Sequence, residues 1–131
     1  MKYLLNTNAL IVLGTNFSAL SPTAQAVLTD QRNAFVLSPA SLWEMAIKVR
    51  LGKLDLNGLS LETFATVIRR KFGIHLLLIK QSQLLYIATL PKVAGHGDPF
   101  DLLIIAQALT ENLPVLTSDG KFHLYGVNVV Q

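Results

Sequence analysis

Residues 4–10 read LLNTNAL, and the change of character inside this run decides the fold. Lys2 to Leu5 (KYLL) has the apolar content of a buried strand, yet it passes straight into Asn6, Thr7 and Asn8 before apolar residues resume at Ala9. A strand ending on two amides and a hydroxyl presents polar groups at its carboxyl end, where open parallel sheets place their ligands. The same pattern recurs along the chain. Ala34 to Leu37 (AFVL) and His75 to Ile79 (HLLLI) are short apolar runs, PVLTSD (114–119) ends on Ser118 and Asp119, and Val127 to Val130 closes the series.

Helical signals lie between these runs. Ala9 to Leu13 suits a short helix. Ser21-Pro22 pairs an N-cap with a proline at the first helical position, opening a helix to about Asp30. Ser38-Pro39 opens a third, with Lys48 and Arg50 in its last turns and Gly52 as its stop. Ser60 or Thr63 caps a fourth, whose Arg69-Arg70-Lys71 end complements the helix dipole. Gln81 to Thr89 is a fifth, stopped by Pro91, and Asp98-Pro99 opens a sixth running to Thr110. Alternating strands and helices, with strands that are apolar throughout, predict an α/β sandwich: a central parallel sheet covered on both faces.

Composition narrows the chemistry. A chain of 131 residues, 51% hydrophobic, is expected to form one domain over residues 1–131 with a substantial core. The net charge of +3 suits an anionic partner without demanding one. There is no cysteine, which excludes disulfides and thiolate metal sites. No uninterrupted apolar run approaches the roughly 20 residues of a membrane span, so a cytoplasmic protein without a membrane association is expected.

The acids are few: Asp30, Glu44, Asp55, Glu62, Asp98, Asp101, Glu111 and Asp119. Glu44 lies near the start of the third helix, Asp98 and Asp101 flank Pro99-Phe100 at the start of the sixth, and Asp119 follows a strand as Asn6 does. All are placed to reach one sheet edge. Carboxylates gathered without a histidine or cysteine spacing form an oxygen-donor set, which suits Mg²⁺ or Mn²⁺. Ions held in this way activate water and neutralise charge on a phosphodiester.

LLNTNAL (4–10), SLWEMAIKVRLGKL (41–54), GDPFDLLIIAQAL (97–109) and PVLTSDGKFHLYGV (114–127) stand in an order that resembles the PIN-domain ribonucleases, most closely the VapC-like toxins of type II toxin–antitoxin pairs. Each piece alone is weakly diagnostic; four in order, across nearly the whole chain, are specific. The resemblance implies a PIN-like α/β/α sandwich and a four-acid, Mg²⁺-dependent site that cuts RNA, with Mn²⁺ as the alternative ion. It also implies a homodimer and inhibition by a cognate antitoxin. By position, the family's acids fall on Asn6, Glu44, Asp101 and Asp119, with Asp98 an additional acid and Asn8 and Ser118 as supporting polar residues. Two positions depart from the family pattern. Asn6 stands where the family has aspartate, and Leu102 where it has arginine after DPFD. An amide at position 6 keeps the shape and an oxygen but loses the charge that holds a hard cation, so an impaired nuclease is expected.

Plainer roles compete for the same residues. Asn6 and Asp119 suit turns after strands. Ser41-Leu42-Trp43-Glu44 is a formal capping box that would occupy Glu44, and Asp98 is a natural N-cap with Asp101 a favourable first-turn acid. Trp43 reads as core or interface. His75, His96 and His123 show no ligand spacing and read as ordinary residues, His96 being the one nearest the acids in sequence. A non-catalytic module binding RNA or an antitoxin peptide in the same pocket is the main rival to the nuclease. A phosphotransfer domain is the other, and it needs an aspartate nucleophile where Asn6 stands.

Overall fold

The computed structural model describes residues 1–131. Its five strands are β1 (Lys2–Leu5), β2 (Ala34–Leu37), β3 (Ile74–Leu76), β4 (Val115–Leu116) and β5 (Val129–Val130), joined in one sheet of order β3-β2-β1-β4-β5. Every pairing is parallel. The six helices are α1 (Thr7–Thr15), α2 (Pro22–Thr29), α3 (Pro39–Arg50), α4 (Leu61–Phe72), α5 (Gln81–Tyr86) and α6 (Pro99–Glu111), with 3₁₀ turns at Phe17–Ala19, Ile87–Thr89 and Phe122–Tyr125. This is the α/β arrangement with a central parallel sheet expected from the alternating pattern.

Alternation along each strand sorts the core into two layers. Tyr3, Leu5, Phe35, Leu37, Ile74 and Leu116 face a cluster that includes Leu10 and Leu13 of α1, Leu28 of α2, Met45 of α3, and Phe64 and Ile68 of α4. Leu4, Val36 and Val115 face the opposite way, against Leu103, Ile104, Ile105 and Ala108 of α6 and the Phe122–Tyr125 turn. Because α6 is buried around most of its circumference from Leu103 to Ala108, its amino end is held rigidly at the sheet edge. β1 has β2 on one side and β4 on the other. The chain winds in opposite directions from β1, so the crevice expected at such a switch point opens beyond Leu5 and Leu116.

Several boundaries differ from the sequence reading, each for a local reason. α1 starts at Thr7 rather than Ala9, because Asn6 is extended and its carbonyl already accepts from Leu10 N. β3 covers Ile74–Leu76 rather than His75–Ile79: its partner β2 ends at Leu37, so Leu78 and Ile79 have no ladder to join. β5 begins at Val129, while Val127 is buried below the sheet in the second core layer. Between the two candidate caps of α4, the chain uses Ser60, whose Oγ accepts from Thr63 N. The capping box at Ser41–Glu44 does not form. Ser38 is the N-cap, accepting from Ala40 N with Pro39 at the first helical position, so Ser41 already lies inside α3.

One close approach tests the packing of α1 on α4. A Cβ at Gly14 would collide with the Phe64 ring and come within 2.9 Å of Ile68 Cγ1. Phe64 is fully buried and has nowhere to move. Alanine gains about 1 kcal/mol of helix propensity over glycine, while overpacking costs about 1–3 kcal/mol. Gly14→Ala is therefore expected to lower the urea midpoint, against the usual direction for this exchange in a helix; a raised midpoint would show that the α1–α4 contact is loose.

Candidate metal centre

A polar cleft of about 330 Å³ opens beyond the carboxyl ends of β1 and β4, with Asn6, Asn8, Glu44, Asp98, Asp101, Ser118 and Asp119 all on its wall beside Thr7, Ile11 and Lys48. The fold thus brings every residue singled out in the sequence to one place. Asn6 arrives directly from β1 and Asp119 from just after β4. Glu44 projects from the second turn of α3, and Asp98 and Asp101 from the amino end of α6.

The plainer roles can now be separated. Asn6 makes no side-chain cap to α1; it is buried, and its Nδ2 donates to Thr117 Oγ1 at 2.7 Å. Glu44 is free of capping duty because Ser38 holds the amino end of α3. Asp98 does cap α6, accepting from Asp101 N at 3.0 Å through Oδ1. Asp119 Oδ1 accepts from Lys121 N at 2.9 Å, a local turn bond that leaves Oδ2 available. Trp43, expected in core or interface, is 59% exposed and packs edge-on against Phe100 at 4.9 Å between ring centres.

Crowding of acids sets the electrostatics. Asp101 is pushed up to about 6, first by burial and then by the charges of Asp98 and Glu44, against a hydrogen bond from His96 that lowers it. Glu44 Oε1 is buried without any hydrogen-bond partner, while Oε2 accepts from Lys48 Nζ at 2.8 Å. Buried polar atoms are nearly always satisfied, so an orphaned carboxylate oxygen facing other acids calls for a positive partner. Ligand atoms of Glu44, Asp98 and Asp101 lie within 4.8 Å of one another, as do those of His96, Asp101 and Asp119, with Asp101 common to both groups. The carboxylates of these groups fit a divalent cation, and an oxygen-donor set suits Mg²⁺ or Mn²⁺.

Three contributors carried no signal that the sequence reading used. Thr117 accepts from both Asn6 Nδ2 and Asp119 N, tying the two strand-end residues together. Lys48 stands one turn after Glu44, an i,i+4 spacing that marks the pair in retrospect. His96, read as an ordinary residue, bonds Asp101 Oδ2 at 3.2 Å and Tyr125 Oη at 2.7 Å. Its place in the site comes from the loop before α6 folding back, which no spacing records.

Lys48 yields a direct test of the acid crowding. Its ammonium is the counter-charge to a carboxylate that is only 10% exposed. Removing one partner of such a pair leaves the other charge uncompensated, and with Lys48 itself 45% exposed the cost is expected to be about 1–2 kcal/mol. Lys48→Met should lower stability by that amount in EDTA, measured by urea unfolding, and saturating Mn²⁺ should reverse most of the loss. A variant equally stable in EDTA would show that Glu44 needs no counter-charge.

Comparison with known proteins fits this fold. Among solved structures, the chain is similar to VapBC2 from Rickettsia felis, bound to a DNA fragment from their promoter (TM-score 0.71, 19% identity, covering 99% of this chain and 98% of that one). It is also similar to VapBC-1 from nontypeable Haemophilus influenzae (TM-score 0.69, 20% identity, 100% and 98%) and to FitAcB from Neisseria gonorrhoeae (TM-score 0.60, 23% identity, 100% and 97%). At these identities the likeness is one of fold. No curated protein matches the chain. The family model for the PIN domain matches residues 3–128, from the second residue of β1 to the threshold of β5, and the chain therefore belongs to the PIN-domain family.

Proposed function

We propose that this chain is an endoribonuclease toxin of a toxin–antitoxin pair, dependent on Mg²⁺ or Mn²⁺, whose activity is damped by Asn6. PIN domains are generally nucleases that use a divalent metal. The observation that carries the reading is the convergence of Glu44, Asp98, Asp101 and Asp119 with Asn6 on one cleft, around a buried Glu44 oxygen without a partner.

In this reading Glu44, Asp101 and Asp119 hold the ion and Asn6 is a weakened ligand. The bound cation supplies the Lewis acidity that activates water and offsets charge on the scissile phosphate. The chain's own groups do the rest. Lys48, the one cation on the cleft wall, faces an entering phosphodiester. Asp98 keeps one oxygen on the Asp101 N–H and lines the cleft, where its other oxygen can accept a proton. Asn8 and Ser118 support the polar rim.

A cognate antitoxin and a second copy of the chain are the proposed partners. Trp43, Leu51, Leu59 and Val67, on α3, α4 and their connection, leave about half of each side chain's surface in water, apolar area that a partner would cover. The similarity to VapBC and FitAB assemblies supports a partner protein. No helix is long and apolar enough to cross a membrane.

Asn6 favours one second reading, the non-catalytic module that binds RNA or peptide in the same cleft. The two separate on labelled single-stranded and hairpin RNA incubated with Mg²⁺, Mn²⁺ or EDTA. Slow cleavage that EDTA and Glu44→Gln both abolish supports the nuclease. RNA binding with no cleavage under any condition supports the module, and cleavage indifferent to EDTA contradicts both.

A further inference from the structure

His96 lies outside the cleft yet touches one of its acids. Its side chain is only 6% exposed. The polar cleft wall omits it; His96 and Tyr125 border instead a separate hollow behind, lined by Leu90, Val93 and Leu102. The imidazole is thus placed behind Asp101 rather than beside it, and its distance of 4.0 Å to Asp119 Oδ2 is too long for a hydrogen bond.

Both ring nitrogens are engaged. Nδ1 is 2.7 Å from Tyr125 Oη and Nε2 is 3.2 Å from Asp101 Oδ2. An ionised carboxylate only accepts, so Nε2 must carry the hydrogen in that bond. Tyr125 Oη has no other hydrogen-bond partner in the protein, and donating its own hydrogen to Nδ1 completes a chain with no orphan: phenol to imidazole to carboxylate. The backbone fixes this placement. His96 N donates to Val93 O at 3.1 Å, and Lys121 Nζ donates to Gly95 O at 2.9 Å. The ring also packs edge-on against Phe122 and Tyr125, with centres at 6.2 and 5.3 Å. Phe122 and Tyr125 belong to the turn just after Asp119, so the relay joins the segment carrying Asp119 to the helix carrying Asp101.

We propose that His96, held by Tyr125, is a positioning residue that fixes the orientation of the Asp101 carboxylate so that its free oxygen faces the cleft. This rests on Asp101 being a metal ligand, as proposed above. Groups that orient a ligand from behind are worth roughly 10–100-fold in metal affinity.

The test uses Mn²⁺ alone as the probe, titrated by calorimetry into the full chain carrying Asn6→Asp, with unfolding curves to confirm that each variant folds. His96→Ala should weaken Mn²⁺ binding roughly 10–100-fold. His96→Gln, which can still donate to Asp101, should recover most of the loss, and Tyr125→Phe should fall between, because Nδ1 then lacks its donor. Nitrogen NMR of the unsubstituted chain should show His96 Nε2 carrying a hydrogen. Equal affinity in all three folded variants, or a bare Nε2, overturns the inference. Absence of Mn²⁺ binding in the parent itself overturns the metal-site reading instead, which keeps the two failures distinct.

Discussion

Asn6→Asp is expected to turn this chain into an efficient Mg²⁺-dependent RNA-cleaving enzyme, with cleavage rising by about a hundredfold or more, the scale on which misplacement in a reacting geometry is felt. The surroundings are ready for the exchange. Asn6 Nδ2 lies 2.7 Å from Thr117 Oγ1, and the same hydroxyl accepts from Asp119 N. A hydroxyl both donates and accepts, so Thr117 can turn its hydrogen toward an aspartate at position 6 without giving up Asp119 N. Shape and neighbours stay constant while one negative charge is added to a site already holding Glu44, Asp98, Asp101 and Asp119. In EDTA that extra charge should lower stability; Mg²⁺ should restore it. Asn6→Ala is the control, losing the Thr117 bond and gaining nothing. Growth arrest on expression of Asn6→Asp, relieved by Glu44→Gln, is the cellular counterpart. A folded Asn6→Asp that neither cuts RNA nor arrests growth would leave the binding-module reading in possession of the site.

Asp101→Asn is expected to abolish metal binding and yet stabilise the metal-free chain. Asp101 titrates at about 6 in the folded protein, against an ordinary value of 3.8. Below pH 3.8 the group is protonated in both states and costs nothing. As pH rises toward 6 the unfolded chain gives up the proton while the folded one retains it, so stability is progressively lost across this window and the loss is complete above it. The shift would correspond to about 3 kcal/mol at full value; water in the open cleft screens it, and about 1–2 kcal/mol is the expected effect. Asparagine never ionises and escapes the penalty, while its Oδ1 still accepts from His96. Urea unfolding in EDTA should show the variant more stable at pH 7 and equal to the parent near pH 4. With excess Mn²⁺ the order at pH 7 should invert, because only the parent gains binding energy. A variant less stable than the parent at pH 7 in EDTA would mean that the acids are not in conflict.

Much of this was legible in the order of residues, and the exceptions are instructive. The central strands could be read because they are buried on both faces and so continuously apolar, as in Tyr3–Leu5 and Phe35–Leu37. The residues on the cleft wall could be read because a parallel sheet delivers strand ends and helix starts to one edge. Strand lengths were less legible: β3 stops where its neighbour stops, which is a property of the pair and not of HLLLI alone. Ser41 and Glu44 had the spacing of a capping box, but Ser38-Pro39 had already opened the helix three residues earlier. His96 was missed for a different reason. Its partners are five and 29 positions away, brought together by a loop that doubles back before α6, and no periodicity marks such a contact. Thr117 directly follows the apolar Val115-Leu116 pair, where a β-branched hydroxyl looks like one more strand residue.

The measurement closest to the central claim is a calorimetric Mn²⁺ titration at pH 7 of four proteins: the unsubstituted chain, Asn6→Asp, and Asn6→Asp combined with either Glu44→Gln or Asp119→Asn. If the cleft is a divalent-cation centre weakened at position 6, the chain binds Mn²⁺ weakly, Asn6→Asp binds it more tightly at one site per chain, and each second substitution reverses the gain. Four indistinguishable titrations, with all four proteins folded, would contradict it.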